Sequence, residues 1–212
     1  MRFTNREEAG MLLAKRLRPF RDTDAVVLAL PRGGVVVGGA VARALHLPLN
    51  VVLVCKLAHP TDPECSAGAV CERGVVVYDA AAVGPMPADW RHKEERRARH
   101  ILRDRRATYD ADNLPQDIRG RTVLLVDDGM ATGLCMDAAV LWAREQGAGR
   151  IVVAVPVASF ESVQRLAPSV DQLVVLNNPA DFLLAVGAHY RYFPQIVDEE
   201  VKTILQEAYY GL

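Results

Sequence analysis

The residues best suited to chemistry fall in one short stretch, residues 122–136, TVLLVDDGMATGLCM. Two adjacent carboxylates, Asp127 and Asp128, follow an apolar run and precede Gly129, Met130, Ala131, Thr132 and Gly133. Neighbouring acids repel a phosphate but accept hydrogen bonds from vicinal hydroxyls. A glycine-containing turn that feeds a helix does the reverse, because its free N–H groups and the helix dipole favour a phosphate. A diol on one side and a phosphate on the other describe a ribose 5-phosphate. A second stretch is built alike: residues 25–30, AVVLAL, run into Pro31-Arg32-Gly33-Gly34 and then into an apolar segment, residues 35–45. Glycines there permit close backbone approach, and Arg32 adds a fixed positive charge. Lys56 ends a third apolar run, residues 50–56, and the breaker-rich His59-Pro60-Thr61-Asp62-Pro63 follows it.

For these groups to meet, the elements that carry them must end at a common edge. Residues 25–30, 50–56, 123–126, 151–157 and 173–176 read as strands. Residues 35–45 and 137–146 read as helices, the second stopped by Gly147 or Gly149. Ser159 caps a short helix that runs to Leu166. Such alternation predicts a mostly parallel sheet with helices on both faces, and ligands then bind outside the carboxyl ends of its strands. Residues 4–20 read as a helix opened by a Thr4/Glu7 capping box. Its stripe of Ala9, Leu12, Leu13 and Leu17 suits packing on the sheet. Residues 66–70 and 75–78 flank Glu72-Arg73-Gly74 as a hairpin.

The run VLLVDDGMATG resembles the phosphoribosyl-pyrophosphate (PRPP) motif of type I phosphoribosyltransferases. That resemblance implies an α/β, doubly wound fold with a hairpin-borne mobile loop and a small C-terminal hood. It spans most of one domain, residues 1–212, with the core at about 25–176 and the hood at about 177–212. It implies transfer of ribosyl 5-phosphate from PRPP to a nitrogen acceptor, such as a nucleobase, with release of pyrophosphate. Asp127 and Asp128 would hold the ribose hydroxyls. Gly129, Met130, Ala131, Thr132, Gly133 and Cys135 would hold the 5′-phosphate. Arg32, Gly33 and Lys56 would contact pyrophosphate, with Arg32 and Lys56 in catalysis. In this family the loop after the first sheet strand often carries a non-proline cis peptide. Mg²⁺ would be held by PRPP and water, with no direct protein ligand. Phe182 or Tyr190, in the hood, would either stack on the base or pack in the core.

Three positions depart from the family pattern. Cys135 stands where many relatives have Thr or Ser, Cys55 where an Arg precedes the lysine, and Ala131 where enzymes of 6-oxopurines often carry Asp. The first two changes favour an alternative, a non-catalytic PRPP or nucleotide-binding regulator of the same fold.

Composition adds mainly exclusions. The chain has 212 residues, half of them apolar, and a net charge of −1, so no general attraction to nucleic acid or membrane follows. No apolar run approaches the ~20 residues that span a bilayer. The opening residues lack a signal-peptide core; a cytoplasmic protein with four reduced cysteines is expected. Cys55, His59, Cys65 and Cys71 lack paired zinc-ligand spacing. Residues 90–109 form a charged helix with eight Lys and Arg, read as a solvated face or a homodimer contact rather than an RNA site, because no stacking aromatics are interleaved.

Overall fold

Short β-branched runs separated by helical segments give eight strands and six α-helices among the described residues. The computed structural model describes residues 2–59, 66–79, 88–109 and 117–210. In chain order the strands are β1 (Val26–Ala29), β2 (Leu49–Val51), β3 (Val54–Ala58), β4 (Ser66–Cys71), β5 (Val76–Tyr78), β6 (Thr122–Val126), β7 (Arg150–Val155) and β8 (Gln172–Val175). The helices are α1 (Arg6–Arg16), α2 (Gly33–Leu45), α3 (Ala88–Thr108), α4 (Leu134–Glu145), α5 (Phe160–Leu166) and α6 (Asp198–Tyr210).

Five strands form a parallel sheet in the order β2-β1-β6-β7-β8. Alternate residues of its inner strands enter two different cores. Val27, Ala29, Leu124 and Val126 pack with α1, α2 and α6, while Val26, Leu28, Val123 and Leu125 pack with α4. Burial on both faces explains why these strands read as continuous apolar runs rather than alternating ones. Leu124 is fully buried, so truncation to Ala would cost about 2–5 kcal/mol. From β1 the chain winds outward to β2, and from β6 it winds outward the other way to β7 and β8. The carboxyl ends of β1 and β6 therefore flank the topological switch point, the usual ligand crevice of such sheets.

The expected strand at 50–56 is two strands in two sheets. Val52 still donates to the Ala29 carbonyl, but the Leu53 N–H turns to the Glu72 carboxylate at 2.7 Å. That switch starts a separate antiparallel sheet, β3-β4-β5. The expected hairpin is β4–β5, and its turn places Arg73 and Gly74 at positive φ. The loop after β3 carries Thr61, Asp62 and Cys65, which lie outside the described residues. The first helix starts at Arg6, with Asn5 rather than Thr4 as its cap. Asn5 Oδ1 accepts from Glu8 N at 2.9 Å, and the Glu8 carboxylate accepts from Thr4 N. The reciprocal pair is thus Asn5 with Glu8, one residue later than expected, with Glu8 reaching the N–H before the cap rather than that of the cap itself.

The charged helix α3 buries Ala98 and Leu102, with Tyr109 buried just beyond its end. Glu94 pairs with Arg97 and accepts from Ala58 N, and Glu95 pairs with Arg99 and accepts from the Tyr78 hydroxyl, so these pairs face the small sheet. Among the described residues no helix is long and apolar enough to cross a membrane.

Candidate functional site

Both glycine junctions arrive at the switch point side by side. Leu30 N donates to the Val126 carbonyl at 2.9 Å, so the β1 and β6 strand ends are in register. Beyond β1 the Pro31–Arg32 peptide is cis, and α2 begins at Gly33. Beyond β6 come Asp127 and Asp128. The two segments touch so closely that a Cβ on Gly33 would lie 2.0 Å from Asp128 Oδ2, and one on Gly34 would lie 2.7 Å from Asp127 Oδ1. Only glycine leaves room for the carboxylates there.

Each carboxylate has one oxygen already engaged. Asp127 Oδ1 accepts from Asp128 N at 2.8 Å. Asp128 Oδ2 accepts from Arg6 Nε at 2.7 Å. Among the described residues no other N–H donor reaches the remaining oxygens, and the two carboxyl groups lie within hydrogen-bond reach of each other. Burial and the charge of Asp128 push the Asp127 carboxyl well above the usual range. Burial also raises Asp128, with Arg6 opposing it. The exposed Lys56, on β3, bears electrostatically on both acids and on Cys135. Arg32 is half-buried, and its charge bears on Tyr109, whose hydroxyl donates to Asp198 at 2.6 Å.

The following loop is held from below and open above. Met130 N donates to Val157 O and Met130 O accepts from Ser159 N, both at 2.9 Å. Ser159 Oγ donates to Ala131 O at 2.6 Å while also capping α5. Ala131 and Thr132 are exposed. Gly133, at φ 79°, is the N-cap of α4 and supplies no side-chain cap. The first amides of α4 thus have neither an intrahelical partner nor a capping side chain, which is the arrangement that attracts an anion. Burial pushes the Cys135 thiol up to about 12, so it stays protonated and is a poor nucleophile.

The family model for the phosphoribosyl transferase domain matches residues 5–186. The chain belongs to this family. A Mycobacterium tuberculosis protein named "Putative phosphoribosyl transferase Rv0571c" is 40% identical over 98% of this chain. The chain spans about half the length of such curated relatives, 47% here. Among solved structures, TT1426 from Thermus thermophilus is 45% identical with a TM-score of 0.81, covering 98% of this chain and 99% of that one. The AQ2163 protein from Aquifex aeolicus, 11% identical at a TM-score of 0.50 over 81% of this chain and 74% of that one, shares the fold.

In this phosphoribosyl transferase domain the two hood aromatics are placed differently from one another. Tyr190 is 2% exposed between Phe3 and Phe193, and its hydroxyl donates to the Asp128 carbonyl at 2.7 Å. A ring packed on both sides has no face for a base, so Tyr190 supports the carboxylate pair from beneath. Phe182 is half-buried and stacks on His189 at 5.2 Å between centroids. Cys55 and Cys71 are buried in different cores, one on each side of the sheet. Among the described residues no three His, Cys, Asp or Glu side chains are grouped to hold a metal. Sequence reasoning missed Arg6, for which no local signal exists: a charged residue opening an amphipathic helix reads as surface. It also read Ser159 only as a cap, although Ser159 and Ser162 at i,i+3 both reach back to the 130–131 loop.

Proposed function

We propose that this domain is a phosphoribosyltransferase that takes PRPP with Mg²⁺. It transfers the ribosyl 5-phosphate to a nitrogen acceptor, to be sought first among nucleobases. The observation that carries this reading is the unequal engagement of the carboxylate pair: one oxygen of each acid is fixed by protein and one is left over. Two fixed acceptors beside a set of open helix amides match a vicinal diol and a 5′-phosphate on one sugar.

In the reaction, the acceptor nitrogen forms a bond to ribose C1 as the C1–O bond to pyrophosphate breaks. Pyrophosphate leaves with the electron pair, and the acceptor nitrogen gives up its proton to solvent. Lys56 and Arg32 stabilise the negative charge that grows on the leaving group, and Gly33 brings backbone against it. Interactions that strengthen in the transition state raise turnover rather than ground-state affinity. Mg²⁺ would travel on the diphosphate oxygens and neutralise part of their charge. The protonated Cys135 would face the 5′-phosphate loop as a weak partner.

The test is pyrophosphate release from PRPP and Mg²⁺ over a panel of purines, pyrimidines and other nitrogen acceptors. Release is expected with at least one acceptor, and Lys56→Ala should cut turnover far more than PRPP affinity. Clear PRPP binding with silence across the panel would replace the enzyme by the regulator reading. That second reading is favoured by Cys55, whose side chain is buried and leaves Lys56 without a neighbouring arginine on its own strand.

A further inference from the structure

Arg6 is the first residue of α1, where a cation is disfavoured by the positive end of the helix. It is nevertheless buried, at 7% exposure. Three contacts hold it. Nε donates to Asp128 Oδ2 at 2.7 Å, Nη1 donates to the Pro194 carbonyl at 2.8 Å, and the guanidinium lies 3.6 Å from the centre of the Phe193 ring. Removing an always-charged group from water needs such compensation. The contacts to Pro194 and Phe193 tie α1 to the C-terminal segment, and a staple of that kind needs nothing more. The contact to Asp128 is of another kind. It comes from 122 residues away and ends on one of the two acids left with a spare oxygen.

We propose that Arg6 is a positioning residue for ligand binding: by pinning Asp128 Oδ2 it leaves Oδ1 as the fixed acceptor for a ribose hydroxyl. This rests on the PRPP reading above. The geometry limits how Asp128 can rotate. Arg6 holds Oδ2 from one side, Gly33 leaves no slack beside it, and Tyr190 holds the backbone carbonyl of the same residue. Charge works in the same direction. The charged and titratable groups that face Asp128 are Asp127 beside it, Arg6 from α1, Lys56 from β3 and Tyr190 from the C-terminal segment; Cys135 of α4 faces Asp127. Two buried neighbouring acids resist ionising together. Arg6 is the buried cation among these groups, whereas Lys56 is exposed and its influence is screened by solvent.

The experiment compares wild type with Arg6→Gln and Arg6→Lys in the full chain, by calorimetric titration with PRPP and with inorganic pyrophosphate from pH 6 to 8.5. Pyrophosphate has no ribose and serves as the ligand that does not use the acids. Arg6→Gln is expected to weaken PRPP at least tenfold at pH 7, to change pyrophosphate less than twofold, and to recover part of the PRPP loss as pH rises. Arg6→Lys keeps the charge but not the fork, so it should weaken PRPP without the pH dependence. Equal losses for both ligands, flat in pH, would make Arg6 a staple and overturn the proposal. Wild-type affinity for PRPP in Arg6→Gln at every pH would overturn it as well, while leaving the PRPP reading intact. If wild type itself binds no PRPP, the reading falls and the proposal with it. Should Arg6→Gln fail to fold, Arg6→Lys carries the same two-ligand comparison. Phe193→Leu is the control that loosens the staple but spares the Asp128 contact: lower melting with the PRPP-to-pyrophosphate affinity ratio kept supports positioning, and a collapse of that ratio overturns it.

Discussion

At the end of β1 the chain turns into α2 directly against the carboxylate pair, whereas at the end of β6 it turns into α4 through a loop that opens to solvent. Both turns follow a parallel strand and both depend on glycine. At the first, Gly33 and Gly34 lie where any Cβ would collide with Asp128 and Asp127. At the second, Gly133 adopts φ 79° and a Cβ there would lie 3.1 Å from Ser162 and 3.7 Å from Leu166. The first junction needs the absence of a side chain against the acids; the second needs a left-handed backbone at Gly133 and, at Gly129, the absence of a side chain against Val157 and Val186, each 2.6 Å from where its Cβ would be. Under the proposed function the first bears on how the acids meet the ribose, and the second on presenting amides.

Gly33→Ala should separate the two most strongly. Its new methyl cannot coexist with Asp128 Oδ2, which Arg6 also grips, so the carboxylate must move. Losing one or two hydrogen bonds to a charged acceptor, at about 1.5–3 kcal/mol each, predicts roughly 10-fold to 10⁴-fold weaker PRPP binding. Overpacking adds a stability loss of about 1–3 kcal/mol. Gly120→Ala is the matched control: φ is 72° but nothing lies within 4 Å, so it should cost about 1–2 kcal/mol of stability and leave PRPP affinity alone. Affinity by calorimetry and stability by urea melts read both. PRPP binding that survives Gly33→Ala would mean that the acids do not hold the ribose.

Asp128→Asn is the next largest. It keeps the shape but leaves the buried Arg6 facing a neutral amide, and it removes the charge from one acceptor. Roughly 10–100-fold weaker PRPP binding is expected, with little change for inorganic pyrophosphate. An equal loss for both ligands would shift Asp128 from ribose recognition to maintaining the loop.

The asymmetry between the junctions also explains what could be read from the chain. The 122–136 stretch was legible because all its parts, strand, acids, turn and helix start, are contiguous and each has a local preference. The same holds for Ser159 as a cap and for the Glu72–Gly74 hairpin turn. The break between β2 and β3 was not legible: Val52 and Leu53 are as apolar as their neighbours, and the switch of sheet depends on Glu72, distant in sequence. Arg6 escaped for the same reason, since its partners lie 122 and 188 residues away. Tyr190 was legible as a buried-or-stacking aromatic, but only its neighbours Phe3 and Phe193 decide that it is buried.

A pH test bears on the second junction alone. Asp137 lies in the first turn of α4, where burial pushes its carboxyl up to about 6 and Arg165, 3.7 Å away, opposes the shift. The ordinary value is about 3.9. The folded state thus holds the proton more tightly than the unfolded chain. The associated stability is fully present below about pH 4 and is lost as pH rises to about 6. Asp137→Asn removes this loss. It should stabilise the protein at pH 7.5 by on the order of 1–2 kcal/mol and make little difference at pH 4. Urea melts at the two pH values check it, and equal effects at both would assign the change to lost contacts with Arg165 instead.

The smallest expected effect is at Cys135, where the amide junction departs from the family pattern. Its thiol is half-buried and protonated, and the charge of Lys56 bears on it. A thiol is a weak donor, so a phosphate seated on the α4 amides lacks the hydroxyl that many relatives supply. Cys135→Thr restores that hydroxyl in nearly the same volume. One neutral hydrogen bond contributes about 0.5–1.5 kcal/mol, so phosphate esters of ribose should bind roughly 2–10-fold tighter. The gain should appear for ribose 5-phosphate as well as PRPP, because both carry the 5′-phosphate. It should be absent for inorganic pyrophosphate, which the proposed function assigns to the β1 junction. A gain for pyrophosphate with none for ribose 5-phosphate would reverse the assignment of the two junctions. No gain for either ligand would place the Cys135 side chain away from the phosphate and leave the backbone amides as its whole binding surface.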